Sequence, residues 1–313
     1  MSAKSLLPTF LTLTLSLAPA LLACTDDSDD NGDSDDEGFI DDPSYGDINP
    51  EQLERMRNPP GGDGPFHMVN FVRFREFAEY PDGRETTLTG REANQLYEVQ
   101  PFLEAMGAEP VFIAEAEDTP LGDGTEWDQI TVVSYPSRTA FIEMLEDPEY
   151  QAIAVHKDAG LAQSLVIVTE LLPSPLPEGF EPPDSPFPAT EQDPPVEVCH
   201  LIRYRDVAQY AEDSAEPERS GREAMDLYSQ AASMAAIPLG AYATARFVVE
   251  GVFIGDGREW DVIHINHMPS HAAWDALRSD PDRSAAQYHR EAAIADTYTV
   301  AGRAFVDQLR PAP

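Results

Sequence analysis

The sequence is short of three things, and each shortage excludes something. Cysteine occurs twice in 313 residues, at Cys24 and Cys199, so no framework of disulfides can staple the fold. Lysine also occurs twice, at Lys4 and Lys157, and basic residues number 20 against 57 acidic ones, a formal net charge of −37. Nucleic acid and anionic membrane surfaces both require a positive face, so neither is expected as a partner. Long hydrophobic runs are missing too. The longest, from Leu6 to Leu22, is broken by Pro8 and Pro19 and is shorter than the ~20 apolar residues of a bilayer span. No Ser-His-Asp set, phosphate loop or redox dithiol can be found either.

The Leu6–Leu22 run follows Lys4 and ends in Leu21-Leu22-Ala23-Cys24. A basic residue, an apolar core and a small residue before the cut describe a secretory signal. The cysteine directly after that small residue resembles a bacterial lipobox. The resemblance implies that residues 1–23 are removed and that Cys24 is lipidated. The protein is then expected to be an exported bacterial lipoprotein, anchored to a cell-envelope membrane at its periplasmic face or at the cell surface. Residues 24–64 read as an acidic, disordered tether: eleven side chains between Asp26 and Asp47 are acidic, and Pro59-Pro60-Gly61-Gly62 closes the segment. Asp27-x-Asp29-x-Asn31-Gly32 imitates the first half of a calcium loop, but Gly38 stands where a bidentate Glu is needed. Cys199 is left as a lone thiol in an alternating segment, expected to pack as a small buried hydrophobe.

The rest of the chain is written twice. Arg73-Phe-Arg75 returns as Arg203-Tyr-Arg205, Tyr80 as Tyr210, Gly90-Arg-Glu-Ala93 as Gly221-Arg-Glu-Ala224, and Tyr97 as Tyr228. Gly122-Asp-Gly124 with Trp127-Asp128 returns as Gly255-Asp-Gly257 with Trp260-Asp261, and Asp147-Pro148 and His156 return as Asp280-Pro281 and His289. The offset grows only from 130 to 133 residues. A period so long is a duplicated domain and not a solenoid. Repeat 1 is assigned to 65–172 and repeat 2 to 196–309. Between them, 173–195 carries nine prolines and reads as a stiff, extended linker.

Within each repeat the pattern is strand, helix, strand, strand, helix, strand. Met68–Phe74 and Val198–Tyr204 alternate as strands. Thr89-Gly-Arg-Glu92 and Ser220-Gly-Arg-Glu223 are capping boxes, starting helices expected to run to Gly107 and to Ile237-Pro238. Strands are predicted near 110–117 and 241–250, 127–135 and 260–268, and 164–172 and 297–306. The intervening second helix is capped by Ser137 or Ser270 and restarted at Asp147-Pro148 or Asp280-Pro281. The fold class is therefore α+β: two ferredoxin-like βαββαβ repeats whose sheets cover one another. They would form an intrachain pseudo-dimeric α/β barrel and a chain that can remain monomeric.

Several of these segments together carry a family resemblance. Strand Met-Val-Asn-Phe-Val-Arg-Phe, Gly-Arg-Glu-Ala before the first helix, and Gly-Asp-Gly-x-Glu-Trp-Asp before the third strand resemble the DUF1330 group of dimeric α/β barrels. Tyr-Pro-Ser, Asp-Pro-Glu-Tyr150 and Ala-Val-His156 extend the likeness over 65–172, and more loosely over 195–308. Repeat 2 departs from it in having His200 for Asn70 and Arg283 for Tyr150. The resemblance implies a fold and a cavity between two sheets, and no particular reaction.

Strand alternation fixes which residues share a face. Taking Val69 and Phe71 as the helix-facing set turns Met68, Asn70, Val72 and Phe74 toward the barrel interior, with Val198, His200, Ile202 and Tyr204 in repeat 2. The same reasoning places Gln129, Thr131, Val133 and Tyr135, and Val262, His264, Asn266 and Met268, on the cavity face. Buried polar groups must be paired, so Asn70, His200, His264 and Asn266 are candidate ligand contacts, beside Tyr97 and Tyr228. Arg73 and Arg203, with Arg91 and Arg222 at the helix starts, could hold an anion, although pairing with carboxylates is the commoner use. His264, His267 and His271 do not converge at their spacing, so no metal is expected. Trp127 and Trp260 are expected to anchor the start of the third strand.

Three functions follow as expectations. The leading one is binding of a small, largely apolar molecule in the barrel cavity, with cofactor-independent isomerase or oxygenase chemistry open to it; no cofactor is then expected. The alternative is a haem-binding or haem-using barrel. Haem-degrading barrels pair a strand-one Asn with a helix-two His, as Asn70 with His156, and His289 is the counterpart in repeat 2. The third is a non-catalytic module presented to a partner on its tether.

Overall fold

The computed structural model describes residues 43–174 and 176–310. The expected signal peptide, Cys24 and most of the acidic run lie outside the described residues. A short leading segment holds β1 (Asp47–Ile48) and α1 (Pro50–Arg57). Repeat 1 follows as β2 (Phe66–Phe74), α2 (Gly90–Gln95), α3 (Gln100–Met106), β3 (Glu109–Leu121), β4 (Gln129–Tyr135), α4 (Arg138–Glu146), α5 (Pro148–Gly160) and β5 (Leu161–Leu171). Repeat 2 is β6 (Val196–Tyr204), α6 (Gly221–Ala236), a 3-10 turn (Ile237–Leu239), β7 (Tyr242–Gly255), β8 (Val262–Met268), α7 (His271–Arg278), α8 (Pro281–Ala293) and β9 (Ile294–Asp307).

The strands close on themselves. Repeat 1 contributes β5-β2-β4-β3 and repeat 2 contributes β9-β6-β8-β7, all antiparallel, and the halves join twice, β3 to β9 and β5 to β7. At one seam Val166 pairs with Ile254; at the other Ile113 pairs with Val306. Closure leaves none of these eight strands as an open edge. The second strand of each repeat binds the last strand of the other, so the expected pseudo-dimeric barrel is formed within one chain.

The repeated motifs have local jobs. Both capping boxes are complete, with Thr89 and Ser220 accepting from the amides of Glu92 and Glu223, each cap being worth about 1 kcal/mol. Their glycines allow close contact: a Cβ on Gly90 would overlap the carbonyl oxygens of Gly160 and Arg75, and one on Gly221 those of Arg205 and Ala293. The Trp-Asp pairs divide the work. Asp128 and Asp261 accept from the amides of Phe74 and Tyr204, each at 2.7 Å. Trp127 and Trp260 pack at 5.6 Å from the ring of Tyr298, which is the anchoring role expected of them.

Three sequence expectations are corrected. The first helix of repeat 1 does not run through to Gly107: it stops at Gln95 and restarts at Gln100, with Pro101 in the new first turn, where a missing N–H costs nothing. Residues 43–58 are not tether. Asn49 caps α1, Ile48 pairs with Ile254, and Tyr45 and Met56 are buried in the repeat-1 core. Apolar residues at Tyr45, Ile48, Leu53 and Met56 outweigh the acidic composition there.

The third correction concerns the faces of the sheet. Val69, Phe71, Ile130, Val132, Leu165 and Ile167 meet Leu201, Ile263, Ile265 and Val300 in one apolar cluster drawn from both repeats. These residues fill the barrel interior. Met68, Val72, Val133 and Tyr135 instead pack with Tyr97, Leu103 and Phe141 against the helices of repeat 1. The inward and outward sets are therefore the reverse of those expected. Two sheets packed face to face enclose a dry layer of side chains ~10 Å thick, which leaves polar residues to the helix side. Cys199 lies in the interior cluster, where burial pushes its thiol up.

Candidate functional site

With the barrel interior filled, a substantial cavity lies elsewhere. It measures about 410 Å³ and sits between the outer face of the repeat-2 strands and helices α6, α7 and α8, with Leu176, Pro177 and Phe180 of the linker along one side. The proline-rich segment is thus a wall as well as a spacer, its Phe180 ring 5.6 Å from that of Tyr242. Beyond Phe180 the linker caps α7: Asp193 accepts from the amides of His271 and Ala272 at 2.8 and 3.1 Å.

His200, His264 and Asn266 do come together in this cavity, on the opposite side of the sheet from that expected. His200 and His264 are register partners on β6 and β8. The His200 Nδ1 lies 3.1 Å from the Thr299 hydroxyl, and the Asn266 amide donates to the Val198 carbonyl at 3.4 Å. Burial, followed by the nearby Arg290, lowers the His200 pKa to about 3; burial and then Arg246 lower that of His264 to about 4. Both imidazoles are neutral at pH 7. Tyr228, also expected, lies on the same wall.

The other candidates fall outside it. Asn70 is fully buried in repeat 1, its amide donating to the Met68 carbonyl at 3.4 Å. Tyr97 meets Tyr150 hydroxyl to hydroxyl at 2.6 Å, and together with Phe102, Tyr135 and Phe141 these rings occupy the space that is open in repeat 2. Arg73 is exposed, and Arg203 pairs with Glu259 at 2.9 Å. His156 and His289 bond through Nδ1 to Tyr80 and Tyr210, each at 2.7 Å, and neither lines the cavity. The two histidines on which a haem reading depends therefore do not reach this cavity. His267 and His264 lie on opposite faces, as their odd spacing requires; His267 contacts Glu197 at 2.8 Å and His271 contacts Asp193 at 3.1 Å.

Sequence reasoning missed the arginines of the site. Arg246, Arg278, Arg283 and Arg290 line the cavity, with Trp274 among the apolar residues beside them. Arg283 stacks over Tyr228 at 5.5 Å and Arg278 over Trp274 at 4.7 Å. The 133-residue offset held the signal, since it aligns Arg283 with Tyr150 and Arg290 with Lys157. Where repeat 1 buries an aromatic ring, repeat 2 places a guanidinium.

The closed antiparallel barrel, with helices outside and two like halves, defines a dimeric α/β barrel contained in one chain. The matching family is described as a domain of unknown function, DUF1330, over residues 85–171. The match falls within repeat 1. Among solved structures the chain is similar to RPA0582, a protein of unknown function from Rhodopseudomonas palustris, with 33% identity over 40% of this chain and 95% of that one, TM-score 0.36. The methylated form of RPA0582 gives 35% identity over 44% and 98%, TM-score 0.37. An anthrone oxidase-like protein is 14% identical over 80% and 98%, TM-score 0.41. A mutant chlorite dismutase from Candidatus Nitrospira defluvii is 14% identical over 77% and 92%, TM-score 0.41. No curated protein matches the chain.

Proposed function

We propose that this protein binds a small molecule in the sheet–helix cavity of repeat 2. The observation that carries the reading is the asymmetry between the repeats. One topology is used twice, yet Tyr97 and Tyr150 close the space in repeat 1, whereas about 410 Å³ is left beside Tyr228 and Arg283 in repeat 2. That volume falls within the ~300–1,000 Å³ of typical ligand sites, which also combine apolar walls with a few polar groups. Here Ile202, Met225, Met268 and Trp274 supply the apolar part, and His200, His264 and Asn266 are among the polar groups. Binding is favoured over proton-transfer chemistry because a general base works best with a pKa near the working pH, and these imidazoles lie at about 3 and about 4. The test is mass spectrometry of molecules released from the full chain purified from its native host. A single compound near stoichiometry, lost when Ala232→Trp fills the cavity, is expected. A preparation with no compound, or one indifferent to Ala232→Trp, would overturn the reading.

We also propose that the protein is exported and held to a membrane through lipid on Cys24. Lys4, the apolar run and Leu21-Leu22-Ala23-Cys24 support it. Wild type should partition into detergent and Cys24→Ser should remain unlipidated; exported wild type that stays wholly aqueous would contradict it.

A further inference from the structure

The charge of the cavity runs against the charge of the chain. Acidic residues outnumber basic ones 57 to 20, yet the described residues lining the cavity include four arginines and no Asp or Glu. Arg278 is neutralised by Asp275 at 2.7 Å. No ion pair joins the side chains of Arg246, Arg283 or Arg290 to a carboxylate among the described residues; the Arg283 guanidinium donates to the Arg278 carbonyl, at 3.3 Å. Arg290 is 9% exposed, and its Nη2 has no hydrogen-bond partner there.

That arrangement is costly as it stands. A guanidinium presents five N–H donors and cannot shed its charge. Burying it without an acceptor therefore forfeits hydration with nothing in return. Arg283 and Arg290 are seven residues apart on α8, hence on one helix face. Arg283 adds to the cost of charge at Arg290, whose pKa is lowered first by burial and then, against the opposing effect of Tyr228, by Arg283. The last turn of α8 favours a cation through the helix dipole, but a dipole supplies no acceptor for Nη2. His200 and His264 are neutral and cannot supply negative charge. The missing element is an anion.

We propose that the ligand of the repeat-2 cavity is an organic anion, its carboxylate held by Arg283 and Arg290 and its apolar body lying against Trp274, Met268 and Ile202. The proposal rests on the small-molecule reading and narrows it to a class. Guanidinium pairs recognise a carboxylate through parallel charge-assisted hydrogen bonds, and the aromatic and methionine walls suit a ring or a short alkyl chain. The chain's net charge of −37 disfavours an anion over the acidic surface outside the cavity.

The test is calorimetric titration of the full chain with two matched pairs, 2-naphthoate against 2-naphthamide and octanoate against octanamide. At least one acid should bind about tenfold more tightly than its amide. Arg290→Gln and Arg283→Gln should each erase most of that advantage and leave the amide's affinity unchanged. Arg283 is only half-buried, so its variant is informative even if Arg290→Gln fails to fold. Acid and amide binding equally, with Ala232→Trp abolishing both, would overturn the anion and leave the cavity standing as a binding site. No binding by any of the four, or binding that survives Ala232→Trp, would overturn both.

Discussion

His200 and His264 stand directly opposite each other on neighbouring strands, β6 and β8, and share the cavity wall with arginines on either side. Both are held neutral: burial lowers His200 to about 3 and His264 to about 4 from an ordinary value of 6.5. Between about pH 6.5 and pH 4, the unfolded chain binds protons at these positions and the native chain does not. Stability should therefore fall as pH falls through that window. Each histidine contributes a slope of at most about 1.4 kcal/mol per pH unit, reduced because both side chains are part-exposed to solvent in the cavity. His200→Asn, which installs the residue that repeat 1 carries at Asn70, should flatten the acid limb. Urea unfolding followed by circular dichroism at pH 4 to 7 checks this; parallel pH profiles for variant and wild type would contradict it.

Lys157 makes the opposite end of the pH scale informative. It is fully buried in repeat 1, 4.9 Å from the Tyr45 ring and 5.4 Å from that of Tyr97, and its Nζ has no hydrogen-bond partner among the described residues. Burial holds its pKa well below the usual 10.5, with Asp158 opposing. From the lowered native value up to 10.5 the unfolded chain carries the extra proton, so stability should rise with pH over that range. Lys157→Met should remove this rise and stabilise the protein at pH 7 by about 1–3 kcal/mol, the cost of a buried unpaired polar group. Equilibrium unfolding at pH 7 and pH 9 measures both effects.

The architecture was legible because its signals are local and repeated. Capping boxes, Asp-Pro restarts and alternating strands each specify a short segment, and the second copy confirms the first. The seams were implied too, since an α+β sheet with helices on one face must cover the other. The site was harder to read for a definite physical reason. Period-2 alternation groups Met68, Asn70 and Val72 together and Val69 with Phe71, but says nothing of which group faces the helices. In this chain both faces are apolar enough to be buried. The decision lies in the barrel interior, a layer closed on all sides that tolerates only groups such as Phe71, Cys199 and Ile263. Arg283 and Arg290 were hidden differently: on a helix, in an acidic chain, an arginine is ordinarily a partner for Glu or Asp.

The shared Gly-Arg-Glu motif carries a steric requirement at its first position. Gly90 and Gly221 bring a helix start against the end of the second helix, and their amides donate to the Arg75 and Arg205 carbonyls at 3.1 and 3.0 Å. Arg75 and Arg205 in turn donate to the Gly160 and Ala293 carbonyls at 2.9 and 2.8 Å. A methyl group at either glycine would overlap backbone oxygens that these hydrogen bonds hold in place. Gly90→Ala and Gly221→Ala should each destabilise by about 1–3 kcal/mol, as overpacking does. Ala293→Gly, across the same contact, should cost less, because it removes volume where the backbones already meet. Thermal unfolding of the three variants checks the order.

Barrel closure gives the last prediction. The interior cluster takes Val69, Phe71 and Ile167 from repeat 1 and Leu201, Ile263 and Val300 from repeat 2, so neither half can bury its inner face alone. A lone repeat 1, residues 65–172, would also bare the edges of β3 and β5 that bind β9 and β7. An apolar sheet face with two open edges recruits a second copy or aggregates. Residues 65–172 expressed alone should therefore elute as a dimer or larger in light-scattering chromatography, and repeat 2 alone should do the same. The full chain already satisfies both faces and both edges, and should elute as a monomer. A stable monomer of residues 65–172 with native-like resistance to unfolding would mean that the two halves fold independently, and that the shared interior is not what holds the barrel together.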